Sequence, residues 1–281
     1  MPPCNAKLVG KEASPPYNAT MNLFRKLENW RVLSAVRKNP IAFSQWKIVR
    51  KLHCLQHLTS VEKARLRILT SVLLHQKNLI GVQGLILNNE MKIIIAAQAC
   101  VPILKLGLNY YSGFIQISVY PTAFWVEHEI IDASGVLHHE KQLLSGQSWS
   151  HGPVILSWDD IEKDMLQIDK GHNVVIHEFV HKIDMLNQGA NGVPPVHQAI
   201  DRKEWGKVFR YAYQKTSERL NMHHKTHINA YSTTSPAEFF AVVSEYFFTS
   251  PEYLLKHYKK VYKELKRFYK QDPAHNTASH R

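Results

Sequence analysis

An α+β fold is predicted by the order of local patterns along the 281 residues, because strand-like segments in the middle of the chain precede a run of helices. A 44% apolar composition suits a substantial core at this length, and no internal repeat is visible. The first 20 residues hold Pro2, Pro3, Pro15 and Pro16, show no amphipathic period and lack the apolar core of a secretion signal. Residues 1–22 are therefore expected to be a flexible basic tail. A single unit is expected over 23–272, helical to about residue 80 with its core over about 81–272, and 273–281 reads as a frayed C-terminal tail.

Within that unit, Thr59 and Glu62 form a capping box, and Val61, Ala64, Ile68, Leu69 and Val72 recur at helical spacing, so a helix is expected over 59–78. Residues 93–108 are the most apolar stretch. Gln98, Pro102 and Lys105 interrupt it, and it is shorter than the roughly 20 residues that span a bilayer, so it reads as core and no transmembrane segment is expected. Strand-like segments follow at 114–120, 124–131 and 153–158. Then come an apolar helix at 174–186, a Gly/Pro loop at 189–195, and a helix with Trp205, Val208, Phe209 and Ala212 on one face. Ser235 as N-cap with Pro236 at the first helical position opens the next helix.

The formal net charge of +12 is unevenly spread, since residues 1–70 hold 13 Lys and Arg against three acids. Phe24, Leu27, Trp30 and Trp46 interleave with these charges, a pattern open to nucleic acid or an acidic membrane, but a solvated helical face explains it equally. Direct nucleic-acid binding ranks last among the functions considered. Cys4, Cys54 and Cys100 are odd in number and too far apart for paired metal spacings, which points to a reduced cytoplasmic protein. No nucleophile-elbow serine or phosphate-binding glycine loop is present.

The chemistry is concentrated in Val-Val-Ile-His-Glu-Phe-Val-His-Lys-Ile-Asp-Met-Leu at 174–186. His177, Glu178 and His181 form a His-Glu-x-x-His arrangement, which on a helix stacks two imidazoles on one face with a carboxylate beside them. A buried apolar helix does not carry such groups uncompensated, because an unpaired buried polar group costs about 2 to 7 kcal/mol. A metal is the simplest compensation; incidental histidines on a solvent-facing edge are the alternative. Catalytic zinc takes three protein ligands. The extended motif with a third histidine is excluded, since Asp184 and Asn187 stand where it needs glycine and histidine. A carboxylate on the later helix remains, with Glu238 and Glu245 the candidates; Glu245, two turns along the same face, could replace Glu238 as ligand or act behind the ligands, and spacing alone does not choose. Glu238 also fits a capping box with Ser235. Asp184, three residues after His181, is placed either to orient an imidazole or as a surface carboxylate near Lys182. His223, His224 and His227 read as a solvated cluster.

The block at 177–184, Ser-Gly-Gln-Ser-Trp at 145–149, the run from Ala230 to Phe248 and Phe-Tyr-Lys-Gln-Asp-Pro at 268–273 resemble, in the same order, the Mlc titration factor A family of bacterial zinc metallopeptidases. Gly-Val-Pro at 192–194 and Val-Tyr-Pro at 119–121 agree as well, and the resemblance runs from about Trp46 to Pro273. Its catalytic part is similar to the zinc domain of anthrax lethal factor, where a tyrosine seven residues before the glutamate ligand faces the metal; Tyr231 and Glu238 have that spacing. The resemblance implies a zincin-like fold with a small mixed sheet, one Zn2+ per chain held by His177, His181 and Glu238, Glu178 as general base, and Tyr231 assisting at the substrate carbonyl. It also implies a peptide substrate and an Mlc-like transcriptional repressor as partner. Two functions are therefore expected: a zinc metallopeptidase acting on short peptides or a peptide terminus, as an aminopeptidase would, or a regulatory binding protein that sequesters a repressor with little peptidase activity. In peptidases of this kind a sheet-edge strand lines the cleft, and 153–158 is the candidate, although a plain core strand fits those residues equally.

Overall fold

The computed structural model describes residues 32–122, 124–131, 137–144, 146–148, 152–166, 171–187, 189–197 and 200–276, with strand pairing alone over 124–148. The expected tail at 1–22 and residues 277–281 lie outside them. Residues 32–38 are helical, followed by α1 (Phe43–Val49) and α2 (Ser60–Gln76). Helix α2 starts as its sequence dictates: the Thr59 N–H donates to Glu62 Oε2 at 3.0 Å and the Glu62 N–H donates to Thr59 Oγ1 at 3.2 Å.

A small mixed sheet forms beside these helices, a helix-rich arrangement compatible with an α+β fold. Strands β1 (Asn78–Gly81), β2 (Gln116–Tyr120) and β6 (Val154–Ser157) run parallel, and β5 (Gly146–Ser148) pairs antiparallel with β6, giving the order β1-β2-β6-β5. Ile117, Val119, Val154 and Leu156 are fully buried, as strands covered on both sides require. The cleft-lining edge expected at 153–158 needs correction. β6 lies inside the sheet, and the short β5 that pairs with it forms the edge. Apart from this sheet, β3 (Phe124–Ile131) and β4 (Leu137–Leu144) form an antiparallel pair in which Glu127 stands opposite Lys141.

The core is helical. Helix α3 (Asn89–Cys100) has nine buried residues, so the apolar stretch near residue 93 is indeed interior. All eleven residues of α5 (Val174–Asp184) are buried; α5 packs on α3, on β5 and β6, and on α7 (Pro236–Thr249). No described helix is long and apolar enough to cross a membrane. Helix α6 (Arg202–Asn221) buries Trp205, Val208, Phe209 and Ala212, the face read from its sequence. Trp205 stacks on Phe209 at 4.3 Å between ring centroids and meets Phe240 and Phe268 edge-on, an aromatic cluster that ties α6 to α7 and α9 (Lys259–Tyr269). Helix α8 (Pro251–His257) precedes α9. Residues 273–276, at the start of the expected C-terminal tail, form a helical turn, α10 (Pro273–Asn276), held where the Ala274 N–H donates to the Tyr262 hydroxyl. Helix α4 (Trp158–Leu166) follows β6 directly.

Gly192 sets the position of α7. Its φ is +77°, and a Cβ there would meet the Pro236 carbonyl oxygen at 2.5 Å. Substituting Gly192→Ala is expected to cost about 1 to 3 kcal/mol, from the left-handed backbone and the forced retreat of α7. Chemical denaturation of the variant measures this, and an unchanged midpoint would show that the loop relaxes without moving α7.

Candidate metal centre

Helix α5 begins with Asn173 as N-cap, whose Oδ1 accepts from the Ile176 N–H at 2.8 Å, and this fixes where the His-Glu-x-x-His turn points. The His177 and His181 rings lie 4.8 Å apart, with their Nε2 atoms facing each other at 3.1 Å. Helix α7 delivers Glu238 to the same point: one carboxylate oxygen stands 2.9 Å from His177 Nε2 and the other 3.3 Å from His181 Nε2. The ligand atoms of His177, His181 and Glu238 thus lie within 4.8 Å of one another. The Ser235 Oγ accepts from the Glu238 N–H at 3.1 Å, while the Glu238 carboxylate turns to the histidines instead of back to the cap.

Glu245 takes a different position from Glu238. It is 1% exposed; Oε1 accepts from His177 Nδ1 at 2.8 Å and Oε2 accepts from the Asn173 N–H at 2.6 Å. In the neutral ring, a carboxylate on Nδ1 fixes the proton there and leaves the Nε2 lone pair facing the centre, the tautomer that a metal ligand requires. Spacing alone left Glu238 and Glu245 open; the two-turn separation places them on opposite sides of the His177 ring. Asp184 is fully buried and accepts from the Gly192 N–H at 2.7 Å, so it anchors the loop before α6 and is not a surface carboxylate. Burial raises its pKa from 3.8 to about 6, with the Gly192 amide opposing.

Two groups that the sequence did not single out complete the surroundings. Asp164 on α4 accepts from His172 Nδ1 at 2.5 Å and from the Val174 N–H at 2.7 Å, and His172 Nε2 lies 4.0 Å from Glu245. A chain of contacts therefore runs from Asp164 through His172 and Glu245 to His177. Asn173, which directly precedes the apolar run, could have been read as an N-cap. The Asp164 contact could not, because only the packing of α4 against α5 brings that carboxylate to His172, which directly precedes Asn173.

Electrostatics define what the centre can hold. Burial opposes charge on His177, but the Glu245 and Glu238 carboxylates outweigh it and hold the imidazole well above its ordinary pKa. Burial raises Glu178, with His177 and His181 partly offsetting it, and its Oε2 is buried without a hydrogen-bond partner. Three carboxylates around the two rings demand positive charge, and the two Nε2 atoms that face each other at 3.1 Å demand a shared partner. A divalent cation answers both demands, so the residues fit a metal. Tyr231 sits in a 3-10 turn (Ala230–Thr233) with its ring 6.1 Å from that of His177. Burial, followed by the Glu238 and Glu178 charges, raises its pKa from 10 to about 12, so it is a phenol at neutral pH.

For His172, desolvation is outweighed by the Asp164 hydrogen bond and the Glu245 and Asp164 charges, which raise its pKa from 6.5 to about 9. A folded-state pKa above the unfolded value means that the stabilisation is complete below pH 6.5 and disappears between 6.5 and 9. The side chain is 47% exposed, so solvent and salt screen part of the effect. In metal-free protein, melting temperatures of wild type and His172→Gln should converge as pH rises through that window. Parallel curves would remove His172 from the network.

A helix-borne pair of histidines and a distant glutamate offer three ligand atoms that could hold a metal ion, with the buried Glu178 carboxylate beside them. The chain belongs to the glucose-regulated metallo-peptidase M90 family, whose model matches residues 27–270. It is 39% identical over 233 residues to Mlc titration factor A of Serratia proteamaculans, covering 82% of this chain and 88% of that protein. It is 38% identical to Mlc titration factor A of Yersinia pestis and of Yersinia pseudotuberculosis, covering 82% of this chain and 85% of each.

Proposed function

We propose that this chain is a cytoplasmic, zinc-dependent metallopeptidase of zincin type that hydrolyses short peptides or cleaves at a peptide terminus. The observation that carries the reading is the convergence of His177, His181 and Glu238 beside the buried, unpartnered Glu178 oxygen. His177 Nε2, His181 Nε2 and the Glu238 carboxylate would hold the ion, a donor set that suits zinc. When bound, the metal supplies Lewis acidity and lowers the pKa of a coordinated water from near 16 to about 7.

The protein's own groups account for the proton traffic and the orientation. Glu178 Oε2 takes the proton from the attacking water as the new C–O bond forms at the substrate carbonyl, then delivers it to the amine as the C–N bond breaks. Its raised pKa suits a group that must hold that proton between the two events. The Tyr231 hydroxyl, protonated at neutral pH, donates to the charge developing on the carbonyl oxygen. Glu245 holds the His177 tautomer, and Asp164 and Glu245 accept from the amides that open α5.

A first test measures metal in the purified protein beside Glu238→Ala, with chelator-sensitive hydrolysis of aminoacyl and short peptide substrates assayed on both. One zinc per chain in the parent, with metal and activity lost in the variant, is the expected result. Zinc retained by Glu238→Ala would place the third ligand elsewhere. The name of the relatives favours a second reading that coexists with the first: capture of an Mlc-like transcriptional repressor.

A further inference from the structure

Away from the metal centre, α6, the end of α8 and the first turn of α9 line a solvent-open pocket of about 320 Å3. Buried Val208, Ala212 and Val261 contribute an apolar lining, which the Thr216 and Tyr258 hydroxyls, hydrogen-bonded to each other at 2.9 Å, join. Lys215, Arg219, Lys259 and Lys260 also line it, and no carboxylate does. Lys215 has an exposed partner in Glu218, whereas no described residue forms an ion pair with Lys259 or Lys260.

The placement of these two lysines runs against local preference. They open α9, which has no acidic residue in its first turn and no side-chain cap, although positive charge is disfavoured at a helix N-terminus. A local conflict of this kind marks positions where something other than helix stability is served. His227, stacked on His257 at 4.1 Å between ring centroids, lines the same pocket, and its pKa is lowered by burial and then by the His257 and Arg219 charges. The potential at that wall is positive.

From this geometry we infer a binding site for a small organic anion, with an aromatic or short aliphatic body against Val208, Ala212 and Val261 and a carboxylate or phosphate head among Arg219, Lys259 and Lys260. The volume lies in the range of small-molecule sites, about 300 to 1,000 Å3, and the combination of apolar walls with a few charged groups is what such sites use. His227 also borders a second pocket, of about 800 Å3, that reaches Ala230 beside Tyr231, so the site adjoins the loop leading to the candidate centre. The inference does not depend on the hydrolytic reading.

Calorimetric titration of the full-length protein with 1-naphthoate and 1-naphthyl phosphate, against uncharged 1-naphthamide and inorganic phosphate alone, tests it. Binding of at least one naphthyl anion with Kd below about 1 mM is expected, and naphthamide and free phosphate should each bind about tenfold more weakly than that anion. Lys259→Gln/Lys260→Gln and Arg219→Gln, whose exposed side chains leave the core intact, should each weaken anion binding about tenfold, an effect that added salt mimics. Arg202→Gln/Lys203→Gln, at the far end of α6, should not. Equal binding of the amide, indifference to the Lys259, Lys260 and Arg219 substitutions in folded protein, or no anion binding at 5 mM (about five times the expected limit) would each overturn the inference. The preferred head group then distinguishes a carboxylate ligand from a phosphate one.

Discussion

Glu178→Gln is expected to lower kcat/KM for a hydrolysed peptide by about 100- to 10,000-fold, the range that a positioned proton carrier supplies. Zinc content should stay at the parent level, because the atoms proposed to hold the ion belong to His177, His181 and Glu238. The amide keeps the size and burial of the acid but cannot accept and release a proton, so the loss should appear in kcat more than in KM. The same variant separates the two proposed activities. Capture of a repressor should survive the substitution if it needs only the surface, whereas hydrolysis should not. Activity within a few fold of wild type would remove Glu178 from the chemistry.

The second large effect belongs to Glu245. Its carboxylate accepts from both His177 Nδ1 and the Asn173 amide while only 1% exposed, so Glu245→Ala leaves two buried donors without acceptors. A loss of about 3 to 5 kcal/mol in metal-free protein is expected from breaking such a buried charged contact. Zinc affinity should fall about 10- to 100-fold, as when other groups orienting a metal-bound histidine are removed. Urea unfolding in chelator and competition titration with a zinc indicator measure the two. Glu245→Gln retains one acceptor oxygen and should recover part of the stability. Wild-type zinc affinity in both variants would show that the His177 tautomer does not need Glu245.

Features that depend on neighbours in sequence were legible. The Thr59 and Glu62 box, the Ser235 cap with Pro236, and the Trp205 face of α6 each arise from residues within a few turns of one another. Strand β4 was not foreseen, because Leu-His-His-Glu-Lys-Gln-Leu-Leu has no apolar alternation and is specified by its pairing with β3. The three-residue β5 was too short to carry a pattern, and without it β6 could be taken for an edge.

At the centre the division is the same. The helical period alone put His177, Glu178 and His181 on one turn-to-turn surface, since 3.6 residues per turn leaves no other arrangement. Tyr231 and Glu238 came from resemblance, without which the sequence allowed either glutamate of α7 as the third ligand. The tertiary structure separated them: packing of α7 on α5 brings Glu238 to the Nε2 side of His177 and Glu245 to the Nδ1 side, a difference within one ring that no linear spacing encodes. Asp164 likewise became a neighbour of His172 and of the α5 N-terminus only when α4 docked there, because contacts between separate elements are fixed by the shape of the core they share.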